Sequence, residues 1–236
     1  MPLLTTASPK TLLDEPFYLS IPHSTDLIIT KGLGCFLFRK DLKRAYRQIP
    51  VDPRDYNLLG YYWNDPLYFD LVLPFGLRSA TLACQRTTNA IVHIFYSIYH
   101  HQCMNYIDDF GGVVSSHDDA LAAFQELETL FNHLGLESSL EKDCPPSTRM
   151  VFLDLIYDTV TTTLEVPDNK LSRASALIRH WLSSPHTTQS DLQSLIGKLC
   201  YICACISPGK LFMQRMLSDL RRLPHKSSTT YPVPPC

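Results

Sequence analysis

Two adjacent carboxylates stand between two short apolar segments, and this feature constrains the chain more than any other. Asp108 and Asp109 follow Cys103–Tyr106 and precede Phe110–Val114, and both segments have the length and composition of buried strands. Neighbouring carboxylates repel each other, and burying them without a partner is costly. A tight turn that presents both to a divalent cation relieves the two penalties, since hard oxygen ligands suit Mg²⁺ and Mn²⁺.

An Asp-Asp pair by itself does not establish a metal site, because surface turns often carry such pairs. Asp118 and Asp119 fit the surface pattern, since they stand at a predicted helix start where acidic side chains favour the helix dipole. The inner pair gains weight from Asp41, which follows another short apolar segment. A third carboxylate on a neighbouring strand allows two ions roughly 3.5–4 Å apart, which clamp the attacking and leaving oxygens of a phosphoryl displacement. Asp41 alone could be an ordinary strand-end residue, but together with the inner pair it completes such a site. We therefore predict that Asp41, Asp108 and Asp109 are catalytic and bind two Mg²⁺ (or Mn²⁺) ions.

The bulk composition bounds the class of protein. The 236 residues are 45% apolar and 19% charged, which indicates a globular chain with one large or two small domains. No apolar run approaches the ~18 residues of a membrane span, and the start lacks a secretory signal. We predict an intracellular location, in the cytoplasm or nucleus, with no membrane partner. The net charge of -2 counts against nucleic-acid binding, which favours basic chains, although acidic metal ligands weaken this objection.

Hydrophobic periodicity predicts a mixed α+β part over residues 1–166, a helical part over 167–223 and a flexible tail over 224–236. The boundary is placed at Pro167. The predicted strands cover residues 35–38, 58–63, 67–73, 103–106, 110–114, 151–157 and 162–166. The predicted helices of the mixed part cover residues 25–31, 79–99 and about 117–135.

Two predicted helices carry both a start signal and an apolar stripe. Ser116 with Asp119, and Thr188 with Asp191, have the spacing of capping pairs. The stripe of the first helix consists of Leu121, Phe124, Leu127, Leu130, Phe131 and Leu134. The stripe of the second helix consists of Leu192, Leu195, Ile196 and Leu199. A further stripe begins the helical part and consists of Leu171, Ala174, Leu177, Ile178 and Trp181. Helical spacing of apolar residues predicts that each stripe faces a core.

Five segments, in order, resemble motifs of the reverse transcriptase family. They are Asp41–Pro50, Leu73–Arg86, the Tyr-x-Asp-Asp box Tyr106–Asp109, Leu134–Lys142, and Phe152–Asp154 at the place of the family's primer grip. The ordered set is highly specific, whereas any one segment alone is not. The chain therefore resembles the reverse transcriptase (RNA-directed DNA polymerase) domain of a retrotransposon, over about residues 17–223.

The resemblance implies an α+β fold: a polymerase palm, with an antiparallel sheet and helices on one face, followed by a small helical thumb. Residues 192–210 resemble the thumb region of tyrosine-recombinase-encoding (DIRS-type) retrotransposons. The family's basic fingers segment has no counterpart before Phe17, so the chain is interpreted as a fragment that lacks most of the fingers. We expect such a fragment to synthesise DNA weakly, because the missing cations would stabilise the transition state.

The resemblance also assigns residues to the nucleotide site, namely Leu42, Ala45, Tyr46, Phe75, Gly76, Gln85 and Lys142. Tyr46 would exclude a ribose 2′-hydroxyl, Gln85 would anchor the site through hydrogen bonds, and Lys142 would protonate the pyrophosphate leaving group. The alternatives are a core aromatic, an exposed helical glutamine and a solvated lysine. The basic residues around Asp41 fit either the template-primer backbone or a charged solvent face; they are Arg39, Lys40, Lys43, Arg44 and Arg47.

The implied function is an RNA-directed DNA polymerase, a nucleotidyltransferase that adds deoxynucleotides to a primer by two-metal phosphoryl transfer. Its partners would be deoxynucleoside triphosphates, an RNA or DNA template with primer, and other domains of a longer polyprotein (fingers, RNase H, recombinase). The alternative is a catalytically inactive retroelement remnant that binds nucleic acid or protein. Thr81, Cys84 and Asp154 depart from the family pattern. An RNA-dependent RNA polymerase is disfavoured, because such enzymes prefer Gly-Asp-Asp and a small or polar residue in place of Tyr46.

Overall fold

The computed structural model describes residues 21–183, 186–203, 205–206, 208–222 and 230–232. The helices are α1 Ile21–Lys31, α2 Ala80–Tyr99, α3 His117–His133, α4 Asp168–Ser183, α5 Gln189–Ile202 and α6 Gly209–Arg222. The first strands are β1 Phe36–Asp41, β2 Gly60–Tyr62, β3 Leu67–Phe69, β4 Cys103–Tyr106, β5 Asp109–Val114 and β6 Cys144–Ser147. The later strands are β7 Arg149–Phe152, β8 Leu155–Asp158, β9 Thr163–Glu165, β10 His186–Thr188 and β11 Thr230–Pro232.

The described residues divide into two compact units. The first comprises the chain up to Leu153 with Asp158–Thr162, and the second comprises Asp154–Tyr157 with the chain from Thr163. No helix among the described residues is both long enough and apolar enough to cross a bilayer. The division of the chain into palm, thumb and tail stays a prediction.

Four antiparallel strands form the central sheet of the first unit, in the order β4-β5-β1-β6. Because side chains alternate along a strand, Phe38 and Lys40 of β1 share one face, and Arg39 and Asp41 share the other. The first face is covered by α2 and α3. The mixed α+β class, predicted as a sheet with helices on one face, is confirmed. The face that carries Asp41 is therefore the one on which a site can form.

The core of the first unit joins the sheet to both helices. Phe38 of β1 and Phe110 of β5 pack with Phe95 of α2 and Phe131 of α3, and all four are fully buried. Phe110 and Phe131 meet edge to face, with ring centroids 5.1 Å apart, a favourable arrangement for aromatic pairs. This core fixes the position of the β4–β5 turn relative to α2.

The stripe predicted for α3 is partly wrong. Leu127, Leu130 and Phe131 are buried as predicted, but Leu121 and Leu134 are exposed. The small residues Ala120 and Ala123 are buried instead, because a helix that lies close to a sheet brings its small residues nearest to the strands. The capping prediction is confirmed, since the Ser116 side chain accepts a hydrogen bond from the Asp119 amide.

The strand predicted over residues 151–157 is broken into β7 and β8. The break lies at Leu153 and Asp154, whose φ angles are 47° and 66°. Left-handed backbone ends a strand, and it is costly for side chains other than glycine. Asp154 stands where the reverse transcriptase motif usually has glycine, so the unusual backbone persists here without the usual residue. The hairpin predicted at 58–73 is confirmed with shorter strands, β2 and β3.

The second unit is built from α4, α5 and α6, with a short two-stranded sheet. Leu192 and Ile196 of α5 and Met213 of α6 form its core, and Trp181 of α4 packs against them. Of the predicted α4 stripe, Ala174 is buried whereas Leu171 and Ile178 are exposed. The prediction of purely helical structure after Pro167 is wrong, because β10 pairs with β11. That pairing includes Thr230–Pro232 of the predicted tail; residues 224–229 and 233–236 lie outside the described residues.

Candidate active site

The β4–β5 hairpin is closed by the two residues Ile107 and Asp108, and it presents the acidic pair. Tyr106 pairs with Asp109 at the last position of the ladder, so the turn is tight. Ile107 has a φ of 55°, a strained conformation for a β-branched residue. The Ile107 amide donates a hydrogen bond to Gln85 Oε1 at 2.8 Å. The strain at the turn is therefore held by a side chain from helix α2.

Gln85 belongs to a polar network behind the turn. Its side chain is fully buried, and its Nε2 donates to Asn89 Oδ1 at 2.7 Å. Asn105 of β4 donates to Thr88 Oγ1 at 2.8 Å and to Asn89 Oδ1 at 2.9 Å. The alternative of an exposed glutamine is wrong, because Gln85 is buried and its Oε1 accepts the hydrogen bond from the Ile107 amide. Sequence reasoning missed Asn105; the signal was the polar trio Gln85, Thr88 and Asn89 at helical spacing.

The β1–β5 pairing brings the third carboxylate to the same place. Asp41 lies opposite Asp109, and the Leu42 amide donates to the Asp108 carbonyl at 2.9 Å. The carboxylate oxygens of Asp41, Asp108 and Asp109 lie within 4.8 Å of one another. The sheet register therefore forms the acidic cluster that the sequence predicts.

The electrostatics of the cluster show charge that the protein compensates only in part. Burial, together with the charges of Asp41 and Asp108, raises the pKa of Asp109 to about 6, although Arg39 opposes the shift. Burial and the Asp41 charge also raise the pKa of Asp108. Lys142 Nζ contacts both oxygens of Asp41, at 3.0 and 3.1 Å. A raised carboxyl pKa means that the anionic form lacks stabilisation, which a bound cation would supply.

The basic residues around Asp41 divide into structural and exposed ones. Lys40 is almost fully buried and forms ion pairs with Glu128 at 2.8 Å and Asp143 at 2.7 Å. Lys40 therefore fits neither the template-primer contact nor the solvent-exposed face considered from the sequence, because it shares the helix-covered face of β1. Arg39 donates to the Lys142 carbonyl at 2.7 Å. Arg47 pairs with Asp70 at 2.6 Å and remains on the surface.

Comparison with known protein families supports the resemblance that the order of the motifs indicates. The sequence pattern of the family described as reverse transcriptase (RNA-dependent DNA polymerase) matches residues 6–153. This chain belongs to the reverse transcriptase family. The match includes Asp41, Asp108 and Asp109. No curated protein matches the chain in sequence.

Solved reverse transcriptases share the fold. The foamy viral protease-reverse transcriptase in complex with an RNA/DNA hybrid has a TM-score of 0.61 and 15% identity, and the match covers 88% of this chain and 30% of that one. The same viral protein in complex with dsDNA has a TM-score of 0.60 and 14% identity, and the match covers 87% of this chain and 46% of that one. The chain thus spans less than half the length of these relatives. The finer resemblance to DIRS-type elements stays a prediction.

The reverse transcriptase family uses divalent metal ions, and the residues present fit such ions. The donors are three carboxylates, which are the hard oxygen ligands that Mg²⁺ and Mn²⁺ prefer. Their oxygens are close enough to share ions, and the raised pKa values of Asp108 and Asp109 indicate uncompensated negative charge. Among the described residues, no other group of carboxylate, histidine and cysteine side chains converges in this way.

The remaining predicted nucleotide-site residues fall into two groups. Tyr46 and Phe75 contact each other, with ring centroids 4.8 Å apart, and Tyr46 Oη lies 3.3 Å from Thr81 Oγ1. Phe75 is 68% exposed, and Gly76 beside it has a φ of 86°, which suits glycine. Leu42 and Ala45 are buried in the core, so the structure gives their side chains a packing role.

Proposed function

We propose that this chain forms the palm of an RNA-directed DNA polymerase, which adds deoxynucleotides to a primer on an RNA or DNA template. The convergence of Asp41, Asp108 and Asp109 within 4.8 Å carries the proposal. The three carboxylates would hold two Mg²⁺ or Mn²⁺ ions. Such ions, when bound, would supply activation of the attacking primer hydroxyl and stabilisation of the charge on the leaving pyrophosphate.

The chain's own residues contribute positioning and charge. Lys142 holds a positive charge at the edge of the cluster, 3.0 Å from Asp41, where it can meet the negative charge of the departing phosphates. Asp41 raises the pKa of Lys142 through their hydrogen bond, so the ammonium form is the one present at neutral pH. A protonated amine is the form required of a general acid, but the raised pKa makes Lys142 a weaker acid for as long as it contacts Asp41.

Tyr46 is proposed as the residue that selects deoxyribose. Tyr46 contacts the Phe75 ring through its own ring and the Thr81 hydroxyl through its Oη, and a ring held by both contacts can exclude a 2′-hydroxyl by steric contact. Tyr46→Ala should therefore admit ribonucleotides, whereas Tyr46→Phe, which loses only the Thr81 hydrogen bond, should retain selectivity. The measurement is the ratio of deoxynucleotide to ribonucleotide incorporation. An unchanged ratio in Tyr46→Ala would remove Tyr46 from this role.

The proposed partners follow from the reaction. They are deoxynucleoside triphosphates, a template with primer, and the fingers, RNase H and recombinase domains of a longer polyprotein. An intracellular location belongs to the same proposal, because its triphosphate substrates are intracellular. The alternative function is a non-catalytic remnant that retains the fold and binds nucleic acid or protein.

Metal binding and primer extension together distinguish these functions. We expect the full chain to bind Mn²⁺, and we expect Asp41→Asn and Asp109→Asn to weaken this binding and to lower primer extension by about 100-fold or more. The matched control is Asp118→Asn, since Asp118 lies exposed at the start of α3. A wild-type chain that binds Mn²⁺ but extends no primer, even with a fingers segment supplied, favours the remnant. Equal extension by wild type and Asp109→Asn would contradict the assignment of this site.

A further inference from the structure

Three consecutive residues at the end of β1 each contact the same segment, Lys142–Asp143. Arg39 donates from Nε and Nη2 to the Lys142 carbonyl, at 3.3 and 2.7 Å. Lys40 Nζ lies 2.7 Å from Asp143 Oδ2, and Asp41 accepts from Lys142 Nζ at 3.0 and 3.1 Å. The last two contacts are reciprocal: the Lys-Asp pair of β1 faces a second Lys-Asp pair, and each lysine binds the other pair's aspartate.

The inner ion pair, Lys40 with Asp143, is buried. The Lys40 side chain is 2% exposed and that of Asp143 is 9% exposed, and Lys40 also lies 3.9 Å from the centroid of the Phe124 ring. Asp143 Oδ1 is buried without a hydrogen-bond partner among the described residues. Desolvation of a buried ion pair often exceeds its Coulombic gain, so an apolar pair would serve stability equally well. Stability alone therefore does not account for this pair.

The outer ion pair, Lys142 with Asp41, depends on the backbone beneath it. The Lys142 side chain is 52% exposed, whereas that of Asp41 is 5% exposed. An exposed lysine loses rotamer entropy when it is held in one place, and exposed pairs contribute little by themselves. The Lys142 backbone, however, is anchored on one side by Arg39 and on the other by the Lys40–Asp143 pair. The position of the ammonium thus follows from the buried contacts.

We infer that Lys40 is a positioning residue: through Asp143 it fixes the 142–143 segment against β1 and so holds the Lys142 ammonium on Asp41. The inference rests on the proposed metal site. The ammonium and a divalent cation share the Asp41 carboxylate, so a held ammonium opposes cation binding at the cluster. Lys40 would thereby tune metal affinity from the opposite face of the sheet, without touching the metal.

Mn²⁺ affinity of the full chain, measured by electron paramagnetic resonance of free Mn²⁺, separates positioning from a purely structural role. Removing the Lys142 charge should tighten Mn²⁺ binding, by about 10-fold for charges a few ångströms apart at the protein surface. Lys40→Met should tighten binding in the same direction, and adding Lys142→Met to it should give little further change, because coupled residues are non-additive. A purely structural role of Lys40 predicts the opposite sign, since damage to the sheet weakens the site.

Two controls and a fallback complete the test. Lys43→Met removes the same charge from an exposed side chain and should change Mn²⁺ affinity much less. Lys40→Arg, which keeps the charge, should lie closer to wild type than Lys40→Met. If Lys40→Met does not fold, Lys40→Met with Asp143→Asn removes both buried charges and should show the same tightening.

Unchanged or weaker binding in the folded variant, beside tighter binding in Lys142→Met, overturns the inference alone. Absence of Mn²⁺ binding in wild type overturns the proposed function and this inference together.

Discussion

At the residue scale, the acidic cluster places function and stability in opposition. The folded-state pKa of Asp109 is about 6, above its ordinary value of 3.8. Between these two pH values the folded protein holds a proton that the unfolded chain has lost, so stability falls as pH rises through this window. The loss of folding stability is absent below the ordinary pKa of 3.8 and complete above the folded-state pKa of about 6. A metal-free chain is therefore less stable at neutral pH than at about pH 4.5 on account of this group.

Asp109→Asn tests this opposition, because it removes the ionisable group and keeps the shape. At about pH 7.5, without divalent metal, we expect the variant to be more stable by about 1–2 kcal/mol, after discounting the pKa shift for partial exposure. Its stability should also vary less between about pH 4.5 and 7. Urea unfolding across this range measures both effects, with Asp118→Asn as control. A variant that is less stable than wild type at neutral pH would contradict the argument.

Gly112 on β5 is the position where a single methyl group matters most. A Cβ at this residue would lie 2.1 Å from the Phe38 ring, and Phe38 is fully buried among other core rings. Gly112→Ala should destabilise the protein by about 3 kcal/mol or more, since overpacking in a close-packed core forces rings and backbone to shift. Gly197→Ala is the control, because its Cβ would meet nothing within 4 Å on an α-helix; it should stabilise by up to about 1 kcal/mol. Thermal unfolding of both variants measures the contrast, and equal effects would refute it.

At the element scale, the start of α5 depends on a reciprocal capping box. Thr188 accepts a hydrogen bond from the Asp191 amide, and the Asp191 side chain accepts one from the Thr188 amide. Thr188→Ala should cost about 1 kcal/mol, because the Asp191 amide at the helix end loses its side-chain acceptor. The control is Ser190→Ala, two residues further along the chain and exposed; this substitution should be neutral or slightly stabilising. Chemical unfolding monitored by Trp181, which packs on α5, gives the comparison. Equal costs for the two substitutions would show that the box does not hold the helix.

At the scale of the whole molecule, the two tryptophans report on different units. The chain contains two tryptophans: Trp63 lies in the first unit and is 66% exposed, whereas Trp181 packs against the core of the second. Trp63→Phe leaves Trp181 as the fluorescent reporter, and Trp181→Phe leaves Trp63. The emission maximum of Trp63→Phe should therefore lie at a shorter wavelength than that of Trp181→Phe. Urea should move the Trp181 emission to the red and leave the Trp63 emission little changed. Coincident emission maxima of the two folded variants would contradict the placement of Trp181.

Local pattern was enough to predict the elements that carry the site. The apolar segments on both sides of Asp108-Asp109, the caps at Ser116 and Thr188, and the order of the family motifs are encoded by neighbouring residues. Strand alternation could also have predicted that Lys40 is buried, since Lys40 shares a face with Phe38. We did not predict it, because the neighbouring basic residues indicated an exposed charged surface. Contacts within a few residues depend on backbone preference and periodicity, which a single sequence displays.

The tertiary structure alone decided which distant groups meet. Asp41 and Lys142 are separated by 101 positions, and Ile107 and Gln85 by 22, so their contacts depend on sheet register and helix docking. The break at Leu153 and Asp154 likewise placed left-handed backbone on residues whose local preference opposes it. Such outcomes reflect the sum of packing over the whole core, which outweighs local preference where the two conflict. The sequence by itself therefore determined which residues could form the site, and the packing of the sheet determined how they are held.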